Sequence, residues 1–353
     1  MSEVDARRKM RMRKIVAFSI FCASLIGGLS LTTHQIAEAA GTEKFLEDSG
    51  ATGQISVMSY NIKGLPWPIA AGRSAALGKI GERLAKLRAM GTAPTIVVLQ
   101  EGFIDAAAAI KHQGGYKYAA AGPAAAYKSK VSFPSPSKRF TEASSPLKGE
   151  TEGKYANSGL RIFSDFPIVK VEQLAFPEYA CAGYDCLANK GVLLAWIKVP
   201  SYLQPVAIID THLNSRRASG VSDVRADAAW TMQAKTVMQF IHAKIPSSSA
   251  VIFTGDFNVG DVPSRINVIR DQGGFLPGGR EALHLAVATE RMRDGRQLND
   301  ARSIIKRGKD WQWFRSGETT NLRLIEVSVP FGAEPDGTSL SDHLGYIASY
   351  RLE

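Results

Sequence analysis

AVIFTGDFN, residues 250–258, opens as an uninterrupted apolar run and closes on polar groups, Thr254, Asp256 and Asn258. Its β-branched and aromatic content predicts a buried strand. The informative part is the end, because a carboxylate at the tip of a buried strand is costly to desolvate unless a neighbour pairs with it. Asp256 and Asn258 are two apart, so both project to one side of an extended segment. Taken alone, such a pair is equally well read as a turn.

The same pattern recurs along the chain. ISVMSYNI (55–62) is an alternating strand that delivers Asn61, and TIVVLQE (95–101) ends on Glu101. VAIIDTHL (206–213) brings His212 and, just beyond it, Asn214, while SDH (341–343) supplies Asp342 and His343. Several such tips in one chain imply one shared site. Between the first two strands, Leu77, Ile80, Leu84 and Leu87 recur at helical spacing. A second helix is read at about 224–244, and further strands at 192–199 and in NLRLIEVSV. Many strands with few helices between them predict an α/β fold with two packed sheets and helices outside.

The whole chain has 353 residues, 45% hydrophobic and 22% charged, which excludes disorder throughout. A basic head (Arg7, Arg8, Lys9, Arg11, Arg13, Lys14) precedes an apolar run and the small-residue pattern Ala37-Glu38-Ala39, the signature of a secretory signal peptide over 1–39. The alternative is a short membrane anchor over 15–31. A secreted or periplasmic location and a single catalytic domain over 40–353 follow, with a flexible insertion at about 120–155, where Ser, Pro, Lys and Gly dominate. Without the leader the formal charge falls from +10 to +7, still suited to an anionic partner, either nucleic acid or a membrane surface. Cys181 and Cys186 then remain as an even pair, expected as a disulfide in an oxidising compartment rather than as metal ligands.

Taken in order, SYNIKG (59–64), VVLQE (97–101), NSGLRIFSDFPI (157–168), DTHLN (210–214), TGDFN (254–258) and SDH (341–343) resemble the endonuclease/exonuclease/phosphatase superfamily typified by DNase I. The resemblance implies a four-layered α/β sandwich of two mostly antiparallel sheets with outer helices. It also implies a phosphodiester-cleaving site using Mg²⁺ or another divalent cation such as Mn²⁺ or Co²⁺. Glu101 and the amide oxygen of Asn61 are hard ligands suited to such an ion. His343 is the expected general base, because imidazole titrates near neutrality. Asp256 and Asn258 would hold the attacking water or the phosphoryl group, His212 and Asn214 would contact phosphate, and Asp342 would serve the metal through water. The superfamily also places an acidic residue on the strand before S-D-H to orient the base. TTNLRLIEVSVPFG lacks the usual pair there, leaving Asn321 or Glu326 as substitutes.

Substrate class turns on YDCLANKGVLLAW (184–196). Asp185 followed five residues later by Lys190-Gly191 resembles the D-x-x-A-x-K-G element of the neutral sphingomyelinase branch; the alternative is a polar turn closing a hairpin. The resemblance implies that Asp185 and Lys190 form an ion pair controlling access to the site, and that the chain hydrolyses sphingomyelin or a related choline phospholipid to ceramide and phosphocholine. An exposed apolar tip for lipid is then expected, at Pro330-Phe331 or at Trp311, Trp313 and Phe314, although WQWF also reads as one buried strand face. The rival functions are a Mg²⁺-dependent endonuclease of the same fold and a non-catalytic membrane-binding protein. No protein partner is implied.

Overall fold

The computed structural model describes residues 53–130, 136–271, 274–332, 334 and 338–353. The proposed leader lies outside the described residues. The chain divides into two units. Residues 66–71, grouped with the N-terminal segment, form a short turn in which the amides of Ile69 and Ala70 both bond to the Pro66 carbonyl, with a cis Trp67–Pro68 bond.

Residues 53–65 and 72–353 form the larger unit. It contains β1 (Gln54–Asn61), α1 (Arg73–Ala89), β2 (Ile96–Gln100), α2 (Asp105–Gln113), β3 (Tyr118–Ala121), α3 (Lys138–Glu142), β4 (Arg161–Ser164) and β5 (Ile168–Ala175). There follow β6 (Gly191–Ile197), β7 (Val206–His212), α4 (Asp223–Lys244), β8 (Val251–Asp256), α5 (Pro263–Asp271), β9 (Arg280–Glu281) and α6 (Ala282–Ala288). The chain ends with α7 (Leu298–Arg307), β10 (Asp310–Arg315), β11 (Leu322–Phe331) and β12 (Gly345–Leu352).

Two six-stranded sheets result, in the orders β11-β12-β1-β2-β4-β3 and β5-β6-β7-β8-β10-β9. Each is antiparallel except for one central pair, β1 with β2 and β7 with β8. The twofold period of the strands explains the layering. Val57 and Val98 face Leu193, Ile208, Ile252 and Phe314 in a core between the sheets. Their neighbours Met58, Val97 and Leu99 point outward onto Leu77, Ile80 and Leu84 of α1 and Ile110 of α2. On the other side Leu194, Ile209 and Phe253 pack on Trp230, Ala234 and Val237 of α4. Helix, sheet, sheet and helix therefore stack as the four-layered sandwich expected.

Buried polar bonds also join the two sheets. Gln100 Nε2 donates to Asp210 Oδ1 at 2.8 Å, and Gln312 Nε2 donates to the Tyr350 hydroxyl at 2.7 Å. Inside such a core each bond offsets a desolvation cost, so loss of one partner is expensive.

Of the 120–155 excursion, the part beyond residue 135 carries α3 and a single 3₁₀ turn, Pro146–Lys148. Arg225 of α4 reaches into it, stacking over Phe140 and donating to Glu150 Oε1 at 2.6 Å and to Ser144. Among the described residues no helix is long and apolar enough to cross a membrane.

Candidate active site

The strand directions decide where the polar tips meet. β1 and β2 run together, as do β7 and β8, so Asn61, Glu101, His212 and Asp256 emerge at the C-terminal ends of parallel pairs. β10 runs against β8 with Asp310 opposite Asp256, and β12 runs against β1, so both strands start where their partners finish. The start of β10 and the loop ahead of β12 therefore bring Asp310 and His343 to the same edge. Gly255 permits the close approach of β8 to β7: a Cβ there, at a φ of 150°, would lie 2.1 Å from the Thr211 carbonyl oxygen.

Asn61 links the two sheets at this edge. Its amide nitrogen donates to Glu101 Oε1 at 2.9 Å and to Asp256 Oδ2 at 3.0 Å, while its amide oxygen accepts from the Lys63 backbone at 3.1 Å. As placed, Asn61 gathers the carboxylates, and ligating a metal through its oxygen would need the carboxamide to turn over. Glu101 has a φ of 57°. That conformation costs a non-glycine residue energy and recurs at functional sites.

The electrostatics favour a cation. Burial pushes the Glu101 carboxyl above its usual range against the opposing bond from Asn61. Donor atoms of Glu101, His212 and Asp256 lie within 4.8 Å of one another, and so do those of Asp256, Asp310 and His343. Closely spaced buried carboxylates of this kind fit a hard divalent ion, which would supply the missing positive charge.

Each imidazole has a distinct setting. His343 Nδ1 lies 2.8 Å from both oxygens of Asp310, and its Nε2 lies 3.6 Å from Asp256 Oδ2. Burial lowers its basicity, but the Asp310 and Asp256 carboxylates outweigh burial and lift it to about 9. His212 is the opposite case: burial and then the Lys190 ammonium hold it well below its usual value. Its Nε2 is 3.3 Å from Lys190 Nζ and 3.6 Å from Asp256 Oδ2.

Asp310 takes, against His343, the position expected of an acid in TTNLRLIEVSVPFG. Neither residue suggested there takes the role. Asn321 bonds to Ser316 and Glu353, and Glu326 pairs with Arg293. The acid stands one strand earlier, in DWQWF, and its signal was the acid-aromatic order Asp310-Trp311 at the start of a strand.

Other expected residues are placed as follows. Asn258 donates to the Leu213 carbonyl at 3.1 Å, and its amide donates to Asp256 Oδ1 at 3.0 Å. Asp342 does not join the metal-binding groups above: its carboxylate pairs with Lys63 at 3.1 Å, its side chain is 57% exposed, and its carbonyl accepts from Arg307. Asn214 is buried and its amide is already engaged, accepting from Ala182 at 3.0 Å and donating to the Ser215 carbonyl at 2.9 Å. It holds the 180s loop rather than facing substrate.

In that loop Asp185 Oδ2 lies 3.1 Å from Lys190 Nζ and accepts from the Ser215 amide at 2.5 Å. The two residues form the ion pair that the resemblance implied, and Cys181 and Cys186 form a disulfide. The apolar tips suggested for lipid are filled by packing. Phe331 is 1% exposed against Tyr60, Trp313 and Phe314 are buried, and Trp311 stacks between Trp313 and His284. WQWF is thus a strand packed on both faces.

An edge built from Asn61, Glu101, Asp256 and a His343–Asp310 pair gathers hard donor atoms suited to a divalent cation beside a carboxylate-bound imidazole. The family model for the Endonuclease/Exonuclease/phosphatase family matches residues 58–343, and the chain belongs to that family. A search of curated proteins found no match. Among solved structures, it is similar to sphingomyelinase C from Streptomyces griseocarneus, with a TM-score of 0.56 at 20% identity, covering 84% of this chain and 99% of that one. A Staphylococcus aureus beta toxin mutant with bound magnesium ions gives 0.53 at 16% identity, covering 84% and 99%. D. rerio TDP2 complexed with a single-strand DNA product gives 0.52 at 17%, again covering 84% and 99%. At these identities the likeness establishes the shared fold.

Proposed function

We propose that the chain is a secreted, divalent-metal-dependent phosphodiesterase that hydrolyses sphingomyelin, or a closely related choline phospholipid, to a ceramide-type alcohol and phosphocholine. The observation that carries the lipid reading is the buried Asp185–Lys190 pair, which sets its ammonium 3.3 Å from His212. One of the structural neighbours, the sphingomyelinase C, points the same way, the magnesium-bound beta toxin supports the metal, and the basic leader supports export.

A bound cation, held by Glu101, would supply Lewis-acid stabilisation of charge on the phosphate oxygens. The remaining work falls to the chain's own residues. His343 Nε2 takes the proton from the attacking water, while Asp310 fixes the ring through Nδ1 and stabilises the imidazolium that forms. Asp256, oriented by Asn61 and by the Asn258 amide, holds that water or the phosphoryl group beside His343. Lys190, its ammonium held by Asp185 beside His212, offsets charge developing on the non-bridging oxygens.

The second reading is a nuclease of the same family, favoured by the positive charge of the chain and the DNA-bound TDP2 neighbour. Arg216, one of two adjacent arginines near the site, is committed to Asp223 and Asp227. Side-by-side turnover decides between the readings: sphingomyelin vesicles and plasmid DNA, each with Mg²⁺ and with EDTA. Phosphocholine release that EDTA abolishes supports the proposal, and nicked plasmid with intact lipid overturns it. Vesicle binding that survives EDTA with no phosphocholine released would instead indicate a non-catalytic membrane-binding protein.

A further inference from the structure

Lys190 is 5% exposed and its ammonium carries three N–H bonds, for which the structure provides three partners. They are Asp185 Oδ2 at 3.1 Å, His212 Nε2 at 3.3 Å and the Leu213 carbonyl at 3.3 Å. An ammonium has no lone pair and can only donate. The contact with His212 therefore has one direction, with Lys190 giving the hydrogen and Nε2 accepting it. A neutral imidazole that accepts at Nε2 carries its proton on Nδ1.

Two further observations agree. His212 Nδ1 is closed to solvent and has no hydrogen-bond partner among the described residues, so none of them competes with Lys190 in setting the tautomer. Asp256 Oδ2, the carboxylate oxygen facing Nε2, is 3.6 Å away, beyond hydrogen-bond reach, and already accepts from Asn61.

We propose that Lys190 is a positioning residue that holds His212 in the tautomer bearing its proton on Nδ1, with the Nε2 lone pair directed at the lysine. The ammonium is fixed in turn by Asp185, whose other contact anchors the Ser215 amide beyond His212. Gly191 lets the Lys190 backbone lie against β5: a Cβ there would be 1.9 Å from the Leu174 carbonyl oxygen. The consequence rests on the phosphodiesterase reading. Positive charge on this side of the site comes from the Lys190 ammonium, and His212 acts by aiming that ammonium rather than as an imidazolium donor to phosphate.

The test is nitrogen NMR of histidine-labelled protein near neutral pH, with His212 assigned by its loss in His212→Gln. In the wild type the proposal expects a protonated, pyrrole-type Nδ1 and an unprotonated, pyridine-type Nε2. Lys190→Met should move the proton to Nε2 in part or in full, and Lys190→Arg, which keeps a donor at that place, should restore the wild-type pattern. Should Lys190→Met not fold, Asp185→Asn/Lys190→Met removes both charges of the pair and should show the same movement. A wild-type ring protonated on Nε2, or a pattern unchanged when the lysine is removed, overturns the proposal. The spectra need no substrate, so the tautomer and the choice of substrate stand or fall separately.

Discussion

Both carboxylate oxygens of Asp310 lie 2.8 Å from Nδ1 of His343, and the pair is buried at the edge where the two sheets present their polar ends. The acid fixes the ring, leaving Nε2 to face Asp256, and it makes the imidazole a stronger base. With the ring lifted to about 9, its unprotonated, proton-accepting form grows as pH rises toward that value.

Asp310→Asn removes the largest influence that raises His343. The rising limb of kcat/KM against pH should move to lower pH, while the maximal rate falls by roughly 10²–10⁴-fold as base catalysis is lost. A steady-state pH profile of the variant and the wild type checks both effects, and an unmoved limb would remove Asp310 from the role assigned.

Glu101→Gln keeps the shape of the side chain and removes its charge. Calorimetric titration with Mg²⁺ should show at least a tenfold weaker affinity, with the thermal midpoint in EDTA no lower than that of the wild type, because a buried carboxylate with a raised pKa is destabilising when ionised.

Asp210 lies beneath the site, fully buried, and burial pushes its carboxyl well above the usual range despite the bond from Gln100. A carboxyl with a raised folded pKa stabilises fully below its unfolded value near 4. That stabilisation is lost as pH climbs toward the folded value. Asp210 Oδ2 and Gln100 Oε1 both have no hydrogen-bond partner among the described residues. Asp210→Asn keeps an acceptor for Gln100 and supplies a donor that does not ionise. It should match the wild type near pH 4 and exceed it at pH 8 by about 1–3 kcal/mol in denaturant unfolding. Equal curves at both pH values would contradict the neutral state of Asp210.

The Cys181–Cys186 disulfide closes a loop of sequence separation 5 around Asp185. Cys181→Ser/Cys186→Ser should cost about 2 kcal/mol of stability. Turnover should fall as well, because the freed turn no longer fixes Asp185 against Lys190. Unfolding curves and rates of the double variant measure the two separately.

The legible part of the site is the part that follows a strand. Asn61, Glu101, His212 and Asp256 each end an apolar run that continues from their N-terminal side, and parallel pairing brings such ends together. Asp310 was missed because β10 is antiparallel to β8, so its contribution comes from the start of the strand, where an acid reads as loop. Asn214 shows the converse. Its spacing from His212 matches that of Asn258 from Asp256, yet its carboxamide is consumed by Ala182 and Ser215, a long-range pairing that spacing does not encode. Phe331, expected with Pro330 as an exposed tip, instead ends β11, where Tyr60 and the Arg83 guanidinium cover it. The four layers themselves were readable, since the strands' twofold alternation separates Val57 from Met58 and so specifies two apolar faces.

Hydrolysis of sphingomyelin vesicles in ¹⁸O-labelled water with Mg²⁺ tests the central claim most directly, by mass spectrometry of the products. Attack of a His343-activated water on phosphorus predicts one labelled oxygen in phosphocholine and none in ceramide, with no product in His343→Ala. Label in ceramide, undiminished product from His343→Ala, or no phosphocholine from the folded wild-type protein would contradict it.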